Sequence, residues 1–219
     1  MRRREGRLPP RDPKGGRPSQ ELAARLGVHI LDIALEQLIT HGGDRASMEV
    51  IARAANVSKR TLYSRFGSKV DLLYAVIDHG FARIAKPVTR PTAKGSPREQ
   101  LLSAAKKMLN AALKPETIGH ETLIYWAIEH YPRAGTRARA DNHAGIQIFR
   151  RILDDAAERG ELIVQDPEFL SSLLFDALVV GPRHRILRRR TLANTPAAKN
   201  EYLEKTLEIV LAGACPPSS

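Results

Sequence analysis

The chain is 219 residues long, 42% hydrophobic and 27% charged, which is ordinary for a soluble globular protein with a sizeable core. Its net charge is +11, its most apolar run (LSSLLFDALVVG, 170–181) is interrupted by Asp176, and its N-terminus lacks the apolar segment of a secretory signal. A spanning or secreted protein is therefore not expected, and the lone Cys215 excludes an intramolecular disulfide and fits the reducing cytoplasm.

Residues 1–19 are rich in Arg, Pro and Gly and nearly empty of large aliphatics, which predicts a disordered basic arm. Ser19 has the chemistry of an N-cap, with Glu21 in the first turn of a helix running to about His41. Leu22, Leu26, Ile30, Ile33, Ala34 and Leu38 recur along it at spacings of three and four. Gly42-Gly43 ends it. Ser47 caps a short second helix whose face is Met48, Ile51, Ala52 and Ala55. Asn56 tolerates the left-handed conformation a tight turn needs. Ser58 caps a third helix, 59–66, with Leu62 and Phe66 inward, and Gly67 breaks it. Ser68 caps a fourth, longer helix carrying Leu72, Leu73, Val76, Ile77, Phe81 and Ile84.

Three prolines and a glycine in KPVTRPTAKGSP, 86–97, read as a linker. Beyond it the periodicity is again helical over about 98–114, 117–131, 134–159, 167–189 and 197–212. No stretch alternates with period two, and ELIVQ at 161–165 is too isolated to pair as a strand. The expected fold is all-α with about nine helices, in three parts: the arm 1–19, a DNA-binding domain 20–90, and a second helical domain 91–219.

Two short helices joined at Asn56 and stacked on a longer one make a helix-turn-helix over 47–66. In that motif the second helix enters the major groove and its first residues meet base edges. Val57, Leu62 and Phe66 anchor the helix, which leaves Ser58, Lys59, Arg60, Thr61, Tyr63 and Ser64 for the DNA. Arg60 or Lys59 can bond guanine O6 and N7, and Thr61 can meet a thymine methyl. Tyr63 offers a hydroxyl to phosphate, and Ser47 and Lys69 stand at helix N-termini that favour phosphate. The charge agrees. Residues 1–95 hold 18 Lys/Arg against 9 Asp/Glu, whereas 96–219 hold 17 against 15, so the positive field is one-sided.

ILDIALEQLITHG, SMEVIARAANVSKRTLYSRF and the spacing Tyr63-x-x-Phe66-x-x-Lys69-x-x-Leu72-Leu73 resemble the DNA-binding domain of the tetracycline-repressor (TetR) family over about 24–84. The remainder is similar in helix lengths and breaks to that family's ligand-binding and dimerisation half. The resemblance implies a cytoplasmic homodimeric regulator, a repressor by the family's habit, bound to near-palindromic operator DNA and released by a small-molecule effector of unidentified chemistry. The family's turn glycine is Asn56 here, and Arg60 stands where a small residue is common, so base preference does not carry over. Arg17, within Gly16-Arg17-Pro18, either enters a minor groove or adds non-specific attraction.

Rival classes fare worse. His120-Glu121 begins like a zinc-protease motif but meets Ile124 where a second histidine belongs. The remaining histidines (29, 41, 79, 130, 143 and 184) have no metal-ligand spacing, Cys215 sits in a proline-rich tail, and Gly15-Gly16 lacks a phosphate loop's lysine. No enzyme, metal or cofactor is expected; the alternative is a helical partner-binding or nucleoid-associated protein that binds DNA without an effector. Phe81 on the fourth helix and, in the second domain, Met108, Leu109, Tyr125, Trp126, Phe149 and Asp176 are candidates to line an effector pocket, against plain core. Asp176 either anchors a cationic ligand or, the favoured reading, pairs with Arg183 or His184. Leu170, Leu174, Leu178, Leu203, Leu207 and Val210 make the last two helices apolar enough to form a four-helix interface between two chains. Arg188, Arg189 and Arg190 would suit the dipole at a helix C-terminus.

Overall fold

The computed structural model describes residues 20–88, 95–131 and 133–212, with side chains except at 85–88 and 135–143. The arm with Arg17, the Ser19 cap, linker residues 89–94 and Cys215 lie outside the described residues. Nine helical rods account for the described chain, with no strand among the described residues. They are α1 (Gln20–His41), α2 (Met48–Ala54), α3 (Lys59–Phe66), α4 (Lys69–Val88), α5 (Pro97–Ala112), α6 (Pro115–His130) and α7 (Ala134–Glu158). The rod 167–189 is α8, and Pro196–Leu211 is α9. The chain divides into two compact units between His79 and Gly80, inside α4 and ahead of the linker.

Local signals set the helix ends. Ser47 Oγ accepts from Val50 N–H at 3.2 Å, and Ser58 Oγ from Thr61 N–H at 3.0 Å. Ser68 Oγ does the same for Asp71 N–H at 3.1 Å while donating to that carboxylate. Asn56 adopts φ 54, the left-handed turn conformation, and Gly67 adopts φ 78. Ser96 and Glu99 close a capping box, and the donors of Ser96 hold the Glu99 carboxyl below its usual pKa. Pro97, Pro115, Pro167 and Pro196 do more than separate helices: each starts one, at a position with no helical N–H to lose.

In the first unit Ile30, Ala34, Leu35 and Leu38 of α1 are buried with Ile51 and Ala52 of α2, Leu62 of α3, and Leu72, Leu73, Val76 and Ile77 of α4. Leu22, which shares the α1 spacing, is exposed. Three polar ties cross the core. His29 Nε2 bonds the Ala55 carbonyl at 3.3 Å, His79 Nε2 bonds Asp32 Oδ1 at 2.7 Å, and Lys69 Nζ donates to the Gly43 carbonyl at 3.0 Å.

The second unit is one core of α5, α7, α8 and α9, centred on Leu101, Leu109, Phe149, Leu153, Leu174, Leu178, Leu203 and Leu207. Gly145 leaves room for Phe175, whose ring a Cβ there would approach to 2.4 Å. The rod α8 runs as expected over 167–189, but it widens into π-turns at Asp176–Val180 and Arg185–Arg189. Pro182 has no N–H and its ring crowds the carbonyl one turn back, so an α-helix cannot pass it unchanged. The chain adapts by sending Gly181 N–H five residues back to the Asp176 carbonyl. The rod stops at Arg190, in the left-handed conformation with φ 53.

Arg183 knots three helices together. Its Nε donates to the Ala112 carbonyl at the end of α5 at 3.0 Å, and both terminal nitrogens reach the Glu121 carboxylate on α6. Arg183→Met keeps the stem but leaves that carbonyl and carboxylate without their donor, a loss of about 2 kcal/mol for charge-assisted bonds. The expected result is a melting temperature roughly 4–8 °C lower, read by circular dichroism.

Candidate nucleic-acid interface

α3 presents two faces because its eight residues make barely two turns. Leu62 is fully buried and Phe66 half-buried, so Lys59, Arg60, Tyr63 and Ser64 are left exposed on the other side. Tyr63 keeps nearly half of its surface open, unusual for an aromatic beside a core. Thr61 is half-buried, and its hydroxyl lies 2.8 Å from Ser58 Oγ, so both groups are committed to the cap. The Ser47 hydroxyl is likewise spent on its own helix. Lys69 is half-buried against the α1–α2 loop, with its ammonium on the Gly43 carbonyl.

Electrostatics organise this surface further. On α2 and α3 the four cations Arg53, Lys59, Arg60 and Arg65 meet a single carboxylate, Glu49. Glu49 lies 3.5 Å from Arg53 and 3.6 Å from Lys59. Such exposed pairs contribute little stability, but they hold two long side chains beside the recognition face. Arg65, which the sequence reading did not single out, passes over α1 at Gly27, where a Cβ would come within 2.8 Å of its Nη1. The buried glycine was the available signal. The arrangement offers guanidinium, ammonium and hydroxyl donors over one exposed face. No group of three His, Cys, Asp or Glu that could hold a metal occurs among the described residues.

In the second unit the seven pocket candidates scatter. Met108, Leu109 and Phe149 are buried in the common core. Tyr125 is 64% exposed, because α6 turns His120, Leu123, Ile124 and Ala127 inward and position 125 away from them. Trp126 stacks on His130 at 4.6 Å and meets Tyr131 edge-on at 5.9 Å. Phe81 packs edge-on against the buried His120 at 4.8 Å, over Gly80, where any Cβ would strike that ring at 2.3 Å. Asp176 is exposed on α8, and the arginine expected to pair with it is taken by Glu121. Tyr125 and Asp176 therefore do not line an interior pocket. A cavity of about 90 Å³ does open between α5 and α9, and of the seven candidates it is Leu109 that borders it, with Lys106, Asn110, Pro196, Lys199, Asn200 and Leu203.

The interface candidates need a similar correction. Leu174, Leu178, Leu203 and Leu207 are fully buried in their own chain, so they form its core and offer no surface to a second one. Leu170 and Val210 stay half-exposed. The side chains that face outward are Phe169, Leu173, Val180 and Ile209.

Residues 30–76 match the family model described as bacterial regulatory proteins, tetR family. The chain is 29% identical over 178 residues to the DNA-binding transcriptional repressor TetR of Mycobacteroides abscessus, a match covering 69% of this chain and 90% of that one. It is 26% identical over 162 residues to the HTH-type transcriptional regulator SrpR of Pseudomonas putida, covering 74% and 75%. A TetR-family transcriptional regulator from Mesorhizobium loti superposes with a TM-score of 0.76 at 22% identity, over 89% of this chain and 98% of that one. Among the described residues no helix is long and apolar enough to cross a membrane.

Proposed function

The chain belongs to the TetR family of helix-turn-helix transcriptional regulators, and from that premise we propose that it is a cytoplasmic homodimeric repressor that leaves a near-palindromic operator when a small molecule binds its second unit. The observation that carries the DNA half is the α3 surface, where Lys59, Arg60, Tyr63 and Ser64 are open to solvent around a fully buried Leu62. Arg60 and Lys59 are the base readers in this proposal and Tyr63 the phosphate contact, because guanidinium and ammonium can bridge guanine O6 and N7 while a rigid phenol loses little entropy on a phosphate. Ser47, Ser58 and Thr61 act indirectly by holding the helix ends. Lys69 steadies the start of α4.

Two copies related by a twofold axis would set identical helices in successive major grooves, about 34–36 Å apart. A ligand releases DNA only by binding the non-DNA-binding arrangement more tightly. We assign that change to α4, whose residues belong to both units. In this proposal DNA binding takes 20–90, to the end of α4 and so beyond the division between His79 and Gly80, and effector binding and dimerisation take 91–219. Selection of bound sequences from random duplex DNA is expected to enrich an inverted repeat. Enrichment of no repeat would refute the operator, and a repeat with relaxed preference at one position of each half-site in Arg60→Ala is the expected control.

A further inference from the structure

Two ion pairs join the exposed side chains of α2 and α3, and both end on one carboxylate. Glu49 Oε1 lies 3.5 Å from Arg53 Nη2, and Glu49 Oε2 lies 3.6 Å from Lys59 Nζ. The first pair is a property of α2 alone. Glu49 and Arg53 stand one helical turn apart, and a carboxylate in the first turn suits the helix dipole. The second pair is tertiary. Lys59 is the first residue of α3, so it reaches Glu49 only because the turn at Asn56 lays α3 beside α2.

Neither helix asks for this contact. A cation at the first position of α3 opposes the helix dipole, and a carboxylate that keeps 60% of its surface open contributes little by ion pairing in water. On a face meant for DNA the carboxylate also repels every phosphate. What it changes is the freedom of Lys59. A lysine ammonium is a point charge on a flexible four-carbon stem, and alone it takes a phosphate oxygen on any sequence as readily as a guanine edge. Held beside Glu49, the stem is directed and part of its charge is answered, so a phosphate that would draw it away gains less. The planar guanidinium of Arg60 carries its own directionality and needs no such restraint.

We infer that Glu49 is a positioning residue for sequence reading: it acts through Lys59, lowering affinity for every duplex while raising discrimination in favour of the operator. The inference rests on the reading of α3 given above and adds to it a residue of the other helix. Specificity of this kind comes from a repulsive element set among attractive ones.

Competition between the selected inverted repeat and a scrambled duplex tests it, in full-length Glu49→Gln, Lys59→Ala and the double variant. Glutamine keeps the shape of the side chain and removes its charge. Glu49→Gln is expected to bind scrambled duplex roughly tenfold more tightly, with a salt dependence steeper by about one unit of slope, as Lys59 passes to phosphate. The operator gains from the lost repulsion but loses the directed lysine, so the ratio of operator to scrambled affinity is expected to fall roughly threefold or more. In the Lys59→Ala background the same change is expected to leave that ratio unaltered, since the group it acts through is gone. Melting within about 2 °C of the parent, read by circular dichroism, shows that each variant is folded. A Glu49→Gln protein with the parental ratio overturns the inference and leaves Glu49 a helix pair only. A ratio that falls equally with and without Lys59 overturns it as well, because Glu49 would then meet a base itself. A parent that prefers no sequence overturns the reading of α3 and the inference together.

Discussion

Leu173→Arg is expected to separate the two chains without disturbing either. Leu173 stands on the outward seam of α8 at 40% exposure, so an arginine there reaches water in the monomer. In a dimer the same change buries two charges against apolar side chains, once on each side of the axis. A cost of about 3 kcal/mol or more, roughly a hundredfold in dissociation constant, follows for the pair. Operator affinity should fall with it, since each half-site contact is then made alone. Leu174, one position on, is fully buried among α5, α7 and α9 and behaves differently. Leu174→Ala should cost about 2–5 kcal/mol of stability by transfer and cavity terms, while the folded protein still dimerises. Sedimentation and thermal melting of the two variants read these outcomes. A Leu173→Arg protein that dimerises as the parent does would remove α8 from the interface.

The second large effect falls on α3, where a buried and an exposed residue two positions apart should fail in opposite ways. Leu62→Ala removes the fully buried anchor of an eight-residue helix that has little else to hold it. The expected loss is about 2–5 kcal/mol, with weaker binding to every duplex and a lower melting temperature. Arg60→Ala touches nothing in the fold, and the melting temperature should stay within about 2 °C because surface changes rarely exceed ±0.5 kcal/mol. Its cost appears only on the operator, at about 1–3 kcal/mol per recognised base pair, together with relaxed preference at that position. Competition titration of operator against scrambled duplex separates the two. Equal loss on both duplexes in Arg60→Ala would mean that Arg60 reads phosphate and not a base.

What the amino-acid sequence determined by itself is local. The caps at Ser47, Ser58 and Ser68, the left-handed turn at Asn56 and the break at Gly67 depend on one side chain and its next few backbone groups, so a string of letters suffices to place them. The outward basic face of α3 was legible for the same reason: eight residues with one strongly apolar side leave few ways to turn.

Tertiary structure alone decided which leucines of α8 and α9 face inward. Those helices are apolar on more than one side, so periodicity cannot say whether Leu174 or Leu173 meets the core; the contacts of α5 and α7 say it. Distance along the chain hid the rest. Arg183 finds Glu121 across 62 residues, leaving Asp176 in solvent, and Lys69 finds a carbonyl 26 residues back. Such pairings depend on which helices come to lie together, and that is settled by the sum of apolar contacts over the whole unit, not by any segment's own sequence.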